Sequence, residues 1–288
     1  MGHHSHFNPL THLLKNKLRE VYLNITIYAF AMTLVSIFVP IYLLQLGYSL
    51  DEALWYILIE WGVFALFSPV SAWLSSKFGF KHILLFRLPL NIGALLLLSF
   101  FDRVNIPIYL VAILFGISGS LYAIPLTSLF TKYSDKKHRG VETGKLITFP
   151  HLAAILSPIL GAWIASYFGF SILFIIASLL LVFSVVPLFF SKDMKPHVTF
   201  SLRKIEHFLK EDLTLVLGFM ASAIRHMTLA VILPLFTYYL VDDLRTVGFV
   251  FTLLLLGTGL INLFLGRFAD KYGVKILLRA GGLGSFVA

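Results

Sequence analysis

The feature that most constrains this chain is the length of its uncharged apolar runs. Residues 146–191 contain no Asp, Glu, Lys or Arg, and residues 21–50 contain none either. A helix needs about 20 apolar residues to cross the hydrocarbon core of a bilayer, so the longer run must cross it and fold back once. With 58% hydrophobic residues and a mean hydropathy of +0.89, the chain is too apolar for a water-soluble domain.

These runs predict an all-α polytopic membrane protein with about eight complete transmembrane helices and the start of a ninth. A helix satisfies its own backbone hydrogen bonds, which is what a single segment needs in lipid. The predicted spans are residues 22–46, 51–75, 82–101, 106–131, 144–168, 169–190, 213–240 and 246–269, with a ninth beginning near residue 276.

Composition divides the chain into four segments. Residues 1–21 form a polar, basic tail, and residues 22–190 form a bundle of six helices. Residues 191–212 are a charged linker whose apolar residues have helical spacing, which predicts an interfacial helix against the inner leaflet. Residues 213–288 are the opening of a second bundle, which we expect to be truncated.

The distribution of basic residues predicts the orientation in the membrane. Lys and Arg crowd the N-terminal tail and the segments after the second, fourth, sixth and eighth spans, whereas the opposite side shows only Arg103 and Arg245. Positive charge is retained on the cytoplasmic side. We therefore expect an integral protein of the cell (plasma) membrane with a cytoplasmic N-terminus and a cytoplasmic linker.

Two short patterns recur at one constant offset along the chain. Residues 72–81 (AWLSSKFGFK) align with residues 266–275 (GRFADKYGVK), and residues 39–42 (VPIY) align with residues 233–236 (LPLF). Two independent matches at one offset indicate an internal duplication. In so apolar a chain, duplication points to a transporter built from repeated helix bundles.

The repeated loop resembles a signature of the major facilitator superfamily. The second copy matches its Gly-x-x-x-Asp-Arg/Lys-x-Gly-x-Arg/Lys pattern fully, whereas the first has Ala72 and Ser76 in place of the first Gly and the Asp. The resemblance implies a twelve-helix fold and a gating role for these loops. The implied gating residues are Gly266, Asp270, Lys271, Gly273, Lys275, Lys77, Gly79 and Lys81.

Three prolines are predicted to bend helices. Residues 156–162 (LSPILGA) are similar to the superfamily's Gly-Pro-x-x-Gly-Gly segment and place Pro158 in the fifth helix. Pro40 and Pro234 occupy equivalent positions near the outer ends of the first and seventh helices. A helix proline frees a backbone carbonyl and bends the helix, so these two could form an outer gate or simply end their helices.

Two charged residues inside the spans are the main candidates for chemistry. Glu60 could couple transport to protons or bind a cation, or it could be a structural carboxylate bonded to a hydroxyl or to Arg225. Arg225 could bind an anionic group of the substrate, because its guanidinium fork suits carboxylate and phosphate. His151, Tyr28 and Tyr122 are further candidates, with His151 more often a packing residue in such a setting.

The sequence therefore favours secondary active transport of a small solute by alternating access, with protons as a candidate coupling ion. Export of amphipathic compounds and import of organic anions both remain open, as does a membrane sensor or scaffold that transports nothing. An enzyme is disfavoured because no catalytic motif is present. We expect lipid and a solute as partners, and no nucleic acid, cofactor or metal site.

Overall fold

The computed structural model describes residues 9–101, 106–134, 139–189, 201 and 213–272. The described residues form helices and short turns, with no strand among them. In the first bundle the helices are α1 (Pro9–Ser36), α2 (Phe38–Gln45), α3 (Leu50–Phe78), α4 (Phe80–Ser99), α5 (Ile108–Tyr133), α6 (Arg139–Ala154), α7 (Ser157–Phe168) and α8 (Phe170–Phe189). The second set contains α9 (Leu213–Met227), a π-helical turn (Thr228–Ile232), α10 (Leu233–Val241) and α11 (Leu244–Tyr272).

The predicted all-α polytopic fold is confirmed. Within the described residues, seven segments are long and apolar enough to cross a membrane. The seventh predicted span, residues 213–240, is present as α9, the π-helical turn and α10 in succession, and it is not among the seven. The predicted interfacial helix in residues 191–212 and the ninth span lie outside the described residues.

Each proline predicted to bend a helix lies next to an interruption. The first span breaks at Ile37, and Pro40 follows in the first turn of α2. The fifth span breaks between Ala154 and Ser157, and Pro158 stands in the first turn of α7. Pro234 follows the π-helical turn, which is the usual form of a local insertion in a helix. Proline has no N–H to offer the preceding turn, so each break falls where a helical hydrogen bond is missing.

Close helix packing inside the first bundle depends on two glycines. A Cβ at Gly116 of α5 would collide with the backbone oxygen of Glu60 on α3. A Cβ at Gly161 of α7 would collide with the backbone oxygen of Leu34 on α1. Small residues at such contacts let helix backbones approach closely, which is the main source of packing energy between helices in lipid.

The outer surface of the bundle is strongly apolar. Large side chains are exposed along α3 and α8, and Leu66 has 82% of its surface uncovered by protein. The core instead holds Phe38, Tyr56 and Phe174, each 2% exposed or less. Exposed apolar bands flanking a packed interior are what lipid contact requires.

Candidate substrate and gating sites

A buried arginine joins two of the predicted site residues. The rings of Tyr28 on α1 and Tyr122 on α5 lie 3.8 Å apart between centroids. The Arg87 Cζ of α4 lies 4.5 Å from the Tyr28 ring and 4.2 Å from the Tyr122 ring. These three groups form a compact triangle, with the guanidinium at one corner and in cation–π range of both rings.

Arg87 is completely buried, with 0% of its surface exposed. None of its Nε, Nη1 and Nη2 atoms makes a hydrogen bond of good geometry to any residue that the structure describes. The Tyr122 hydroxyl is likewise buried and without a hydrogen-bond partner in that part of the chain. A guanidinium stays protonated in proteins, so this corner of the bundle holds a permanent positive charge with no carboxylate partner among the described residues.

Arg87 was missed among the sequence-predicted site residues, although it lies inside the predicted span 82–101. The signal was available, because an ionisable residue within a transmembrane segment marks a functional site by default. Arg225, the arginine that the sequence did single out, lies on α9, and its side chain is outside the described residues. The structure therefore leaves untested whether Arg225 meets Glu60.

Glu60 lies on α3, half-buried, in the part of the helix that packs against α5. Its carboxylate makes no ion pair or hydrogen bond with a described residue, but it is within electrostatic range of the Tyr28 and Tyr56 hydroxyls. Tyr28 thus contacts Arg87 and also interacts electrostatically with Glu60. The structure brings Glu60, Tyr28 and Tyr122 into one region of the first bundle.

His151 lies apart from this region, where the first bundle meets the second. Its Nε2 is 2.9 Å from the backbone oxygen of Leu255 and 3.3 Å from Oγ1 of Thr258, both on α11. Because Leu255 O is an acceptor, the imidazole donates from Nε2 in this arrangement. The histidine therefore ties α6 to α11.

The same face of α11 makes further contacts with the broken fifth span. Gly248, Thr252, Leu255 and Gly259 follow one another at helical spacing on this face. The partly buried Ile159 N–H, in the first turn of α7, donates to Thr252 Oγ1 over 3.1 Å. A Cβ at Gly248 would collide with Ala162 Cβ and lie 2.6 Å from Pro158 O. We call this contact of α6 and α7 with α11 the bundle seam.

Two polar contacts join the two sets of helices at the ends of α2, α7, α10 and α11. Gln45 Nε2 donates to the Tyr238 hydroxyl over 2.9 Å. The Arg245 guanidinium stacks on the Tyr167 ring, with Cζ 4.7 Å from its centroid. Arg245 and Gln45 lie on the side that the sequence predicts to be outside the cell.

The first copy of the loop motif lies between α3 and α4. Gly79 adopts a φ of 98°, which side chains rarely tolerate, and its N–H donates to Ser75 O. Lys77 is exposed and lies over the rings of Trp73 and Phe78. The tight turn is therefore a property of Gly79 itself.

Lys81 has a different role from that of an exposed loop lysine. It is buried, and its Nζ lies 3.3 Å from Glu20 Oε2 on α1 and 3.1 Å from Leu188 O at the end of α8. A cation is stabilising at a helix C-terminus, where carbonyls are free. Lys81, on α4, thus connects this helix to α1 and α8 at one end of the bundle.

The second copy of the motif is described only in part. Gly266, Asp270 and Lys271 lie on α11, with their side chains outside the described residues, and Gly273 and Lys275 lie beyond the described part altogether. Within the described residues no group of His, Asp and Glu side chains could hold a metal ion.

The fold and these sites define a polytopic helical membrane protein with two sets of helices meeting along a seam. The sequence matches the family described as Major Facilitator Superfamily over residues 21–223. The chain therefore belongs to the major facilitator superfamily, whose members carry out secondary transport of solutes.

Two curated proteins are similar to this chain over most of its length. The multidrug resistance protein MdtG of Citrobacter koseri is 27% identical over 284 residues, covering 92% of this chain and 70% of the relative. The protein of the same name from Salmonella typhimurium is 25% identical over 282 residues, covering 92% of this chain and 69% of the relative.

Proposed function

We propose that this chain exports amphipathic compounds across the plasma membrane by alternating access. Family membership supports secondary transport of a solute. The relatives' description as multidrug resistance proteins supports export and a broad amphipathic substrate class. The observation that carries the proposal most directly is the bundle seam, which joins the two sets of helices at a proline break.

In this proposal the bundles rock about the seam. The Gln45–Tyr238 and Arg245–Tyr167 contacts hold the outer entrance closed, and they must open when the site faces outward. The interruptions next to Pro40, Pro158 and the π-helical turn provide places where helices can bend without losing further hydrogen bonds. The loop motif, from Lys77 to Lys81 and from Gly266 to Lys275, would regulate the cytoplasmic side, with the N-terminus also cytoplasmic.

Glu60 is the proposed coupling carboxylate. It has no charge partner among the described residues, and an ionised side chain at this depth is expensive, so protonation is the simplest way to neutralise it. The Glu60→Gln variant imitates the protonated form. We expect it to bind substrate but to lose acceleration of transport by a proton gradient.

The proposal is tested by flux in proteoliposomes containing the full-length protein. A fluorescent amphipathic dye is loaded on one side, and its movement is followed with and without an imposed pH gradient. Gradient-dependent movement that Glu60→Gln abolishes would support proton-coupled transport. Dye movement at the same rate with and without the pH gradient would contradict proton coupling. No movement of any dye in a broad panel would favour a membrane sensor or scaffold that transports nothing.

A further inference from the structure

We propose that Arg87, Tyr28 and Tyr122 form a recognition site for the anionic group of an amphipathic substrate, such as a carboxylate or sulfonate. The inference rests on the proposed transport function for its substrate. The site itself is defined by the described side chains, so its binding can be measured without any transport.

The first argument is the charge balance. Arg87 is buried at 0% exposure and is ionised at any working pH. Among the described residues it has no carboxylate partner, since the ion pair found there is between Lys81 and Glu20. Buried charges in lipid are paired or act on a substrate or ion pathway, so an unpaired one points to a partner that arrives from outside.

The second argument is the excess of donors. Among the described residues, the guanidinium Nε, Nη1 and Nη2 make no hydrogen bond of good geometry, although the Tyr28 hydroxyl lies near them, and the buried Tyr122 hydroxyl also has no partner there. One turn further along α4, the Asn91 Nδ2 reaches only the sulfur of Met32, at 4.0 Å. An arrangement with several unused donors and a fixed positive charge selects an acceptor of negative charge.

The third argument concerns access. Tyr122 and Arg87 are buried, whereas Tyr28 is half-buried and lies on α1 with its ring against both of them. A ligand would reach the guanidinium by displacing the Tyr28 ring. The two tyrosine rings would then pack against the apolar part of the same ligand, which explains why an amphipathic anion suits the site better than a small inorganic one.

The test compares two probes with the same tail and opposite charge, octanesulfonate and octyltrimethylammonium. Binding of each radiolabelled probe to the purified full-length protein is measured for the wild type and for Arg87→Gln, Arg87→Lys and Tyr122→Phe. Lys145→Gln serves as the matched control, because it removes a positive charge from an exposed position on α6. Thermal unfolding of every variant shows whether it is folded.

We expect the wild type to prefer octanesulfonate. Arg87→Gln should weaken sulfonate binding by roughly tenfold or more, which corresponds to one charge-assisted hydrogen bond, and should leave ammonium binding within about twofold. Arg87→Lys should retain part of the affinity for octanesulfonate. Tyr122→Phe, which keeps the ring but lacks the hydroxyl, should bind octanesulfonate a few-fold more weakly. Lys145→Gln should change the binding of neither probe.

Equal weakening of both probes, or unchanged sulfonate binding in Arg87→Gln, would overturn the inference. If Arg87→Gln fails to fold, the Tyr122→Phe variant provides the test. Sulfonate binding as tight in Tyr122→Phe as in the wild type would contradict the site. Arg87-dependent binding without any flux would sustain this site and refute the transport proposal. Flux without a binding preference for the anion would support the transport proposal and refute this site.

Discussion

Adding a single methyl group at Gly248 should force the bundle seam apart. A Cβ there would collide with Ala162 Cβ and lie 2.6 Å from Pro158 O, and it would also lie 3.2 Å from Ile159 Cα. Two of these three atoms belong to the backbone of α7 and cannot rotate away. The Gly248→Ala variant must therefore move α11 away from α7.

The cost follows from the contacts that this movement breaks. Overpacking a tight interior costs about 1–3 kcal/mol. Separation also lengthens the 3.1 Å hydrogen bond from Ile159 N–H to Thr252, and leaving a buried donor unsatisfied costs about 1–3 kcal/mol more. The closed seam should thus lose about 2–6 kcal/mol, which is enough to shift a two-state equilibrium at least tenfold.

The assay is the distance between the bundles by spin labelling. The chain contains no Cys, so labels can be placed cleanly by Leu50→Cys and Tyr239→Cys, at two exposed positions on either side of the outer entrance. Gly257→Ala is the matched control, because a Cβ at Gly257 of the same helix meets nothing within 4 Å. We expect Gly248→Ala to shift the distribution to longer distances and Gly257→Ala to leave it unchanged. An identical distribution in both variants would refute the reasoning.

Three further variants test individual contacts. Thr252→Val should lower the thermal stability of the protein by about 1–3 kcal/mol, because the seam donor loses its acceptor, while Thr252→Ser should remain near the wild type. Lys81→Met should destabilise the first bundle by about 1–3 kcal/mol by leaving its buried partners on α1 and α8 unsatisfied, whereas Lys77→Met at an exposed position should change stability by less than about 0.5 kcal/mol. Asp243 caps α11, and its hydrogen bonds from Thr246 hold the pKa of its carboxyl below the ordinary value of 3.8. The stability it contributes is therefore present above pH 3.8 and is lost as the pH falls through the lower folded-state pKa. The Asp243→Ala variant should be about 1 kcal/mol less stable than the wild type at neutral pH. Its stability should also depend less on pH in the acid range, which thermal unfolding between pH 3 and 7 would measure. Stability equal to that of Thr252→Ser in Thr252→Val, of Lys77→Met in Lys81→Met, or of the wild type in Asp243→Ala would contradict the contact concerned.

The helices could be predicted from the sequence because lipid imposes a length on every span. The apolar spans predicted boundaries close to those observed, such as 51–75 against Leu50–Phe78. The three prolines that were singled out each lie next to an interruption. Other prolines, such as Pro69, Pro89 and Pro125, lie inside unbroken helices, so a proline alone does not predict a break. The π-helical turn before Pro234 was not predicted, because its extra residue depends on packing against neighbouring helices.

The candidate site was harder to predict, because side chains from distant segments meet there. Tyr28 and Tyr122 were named individually, but their contact with Arg87 joins α1, α4 and α5, and no spacing in the sequence shows it. His151 was named for its chemistry, whereas its observed partners on α11 are a backbone oxygen and a hydroxyl. The burial of Lys81 could not be predicted either, because its partners lie on α1 and α8, far from it in the sequence.

The central claim, that the two sets of helices separate and rejoin during transport, is tested most directly by locking the outer entrance. Gln45→Cys and Tyr238→Cys place thiols where a hydrogen bond now joins α2 to α10, and a short bifunctional thiol reagent with a cleavable disulfide can link them. We predict that the linked protein carries no gradient-driven flux in proteoliposomes and that cleaving the reagent restores it. Undiminished flux through fully linked protein would contradict the account.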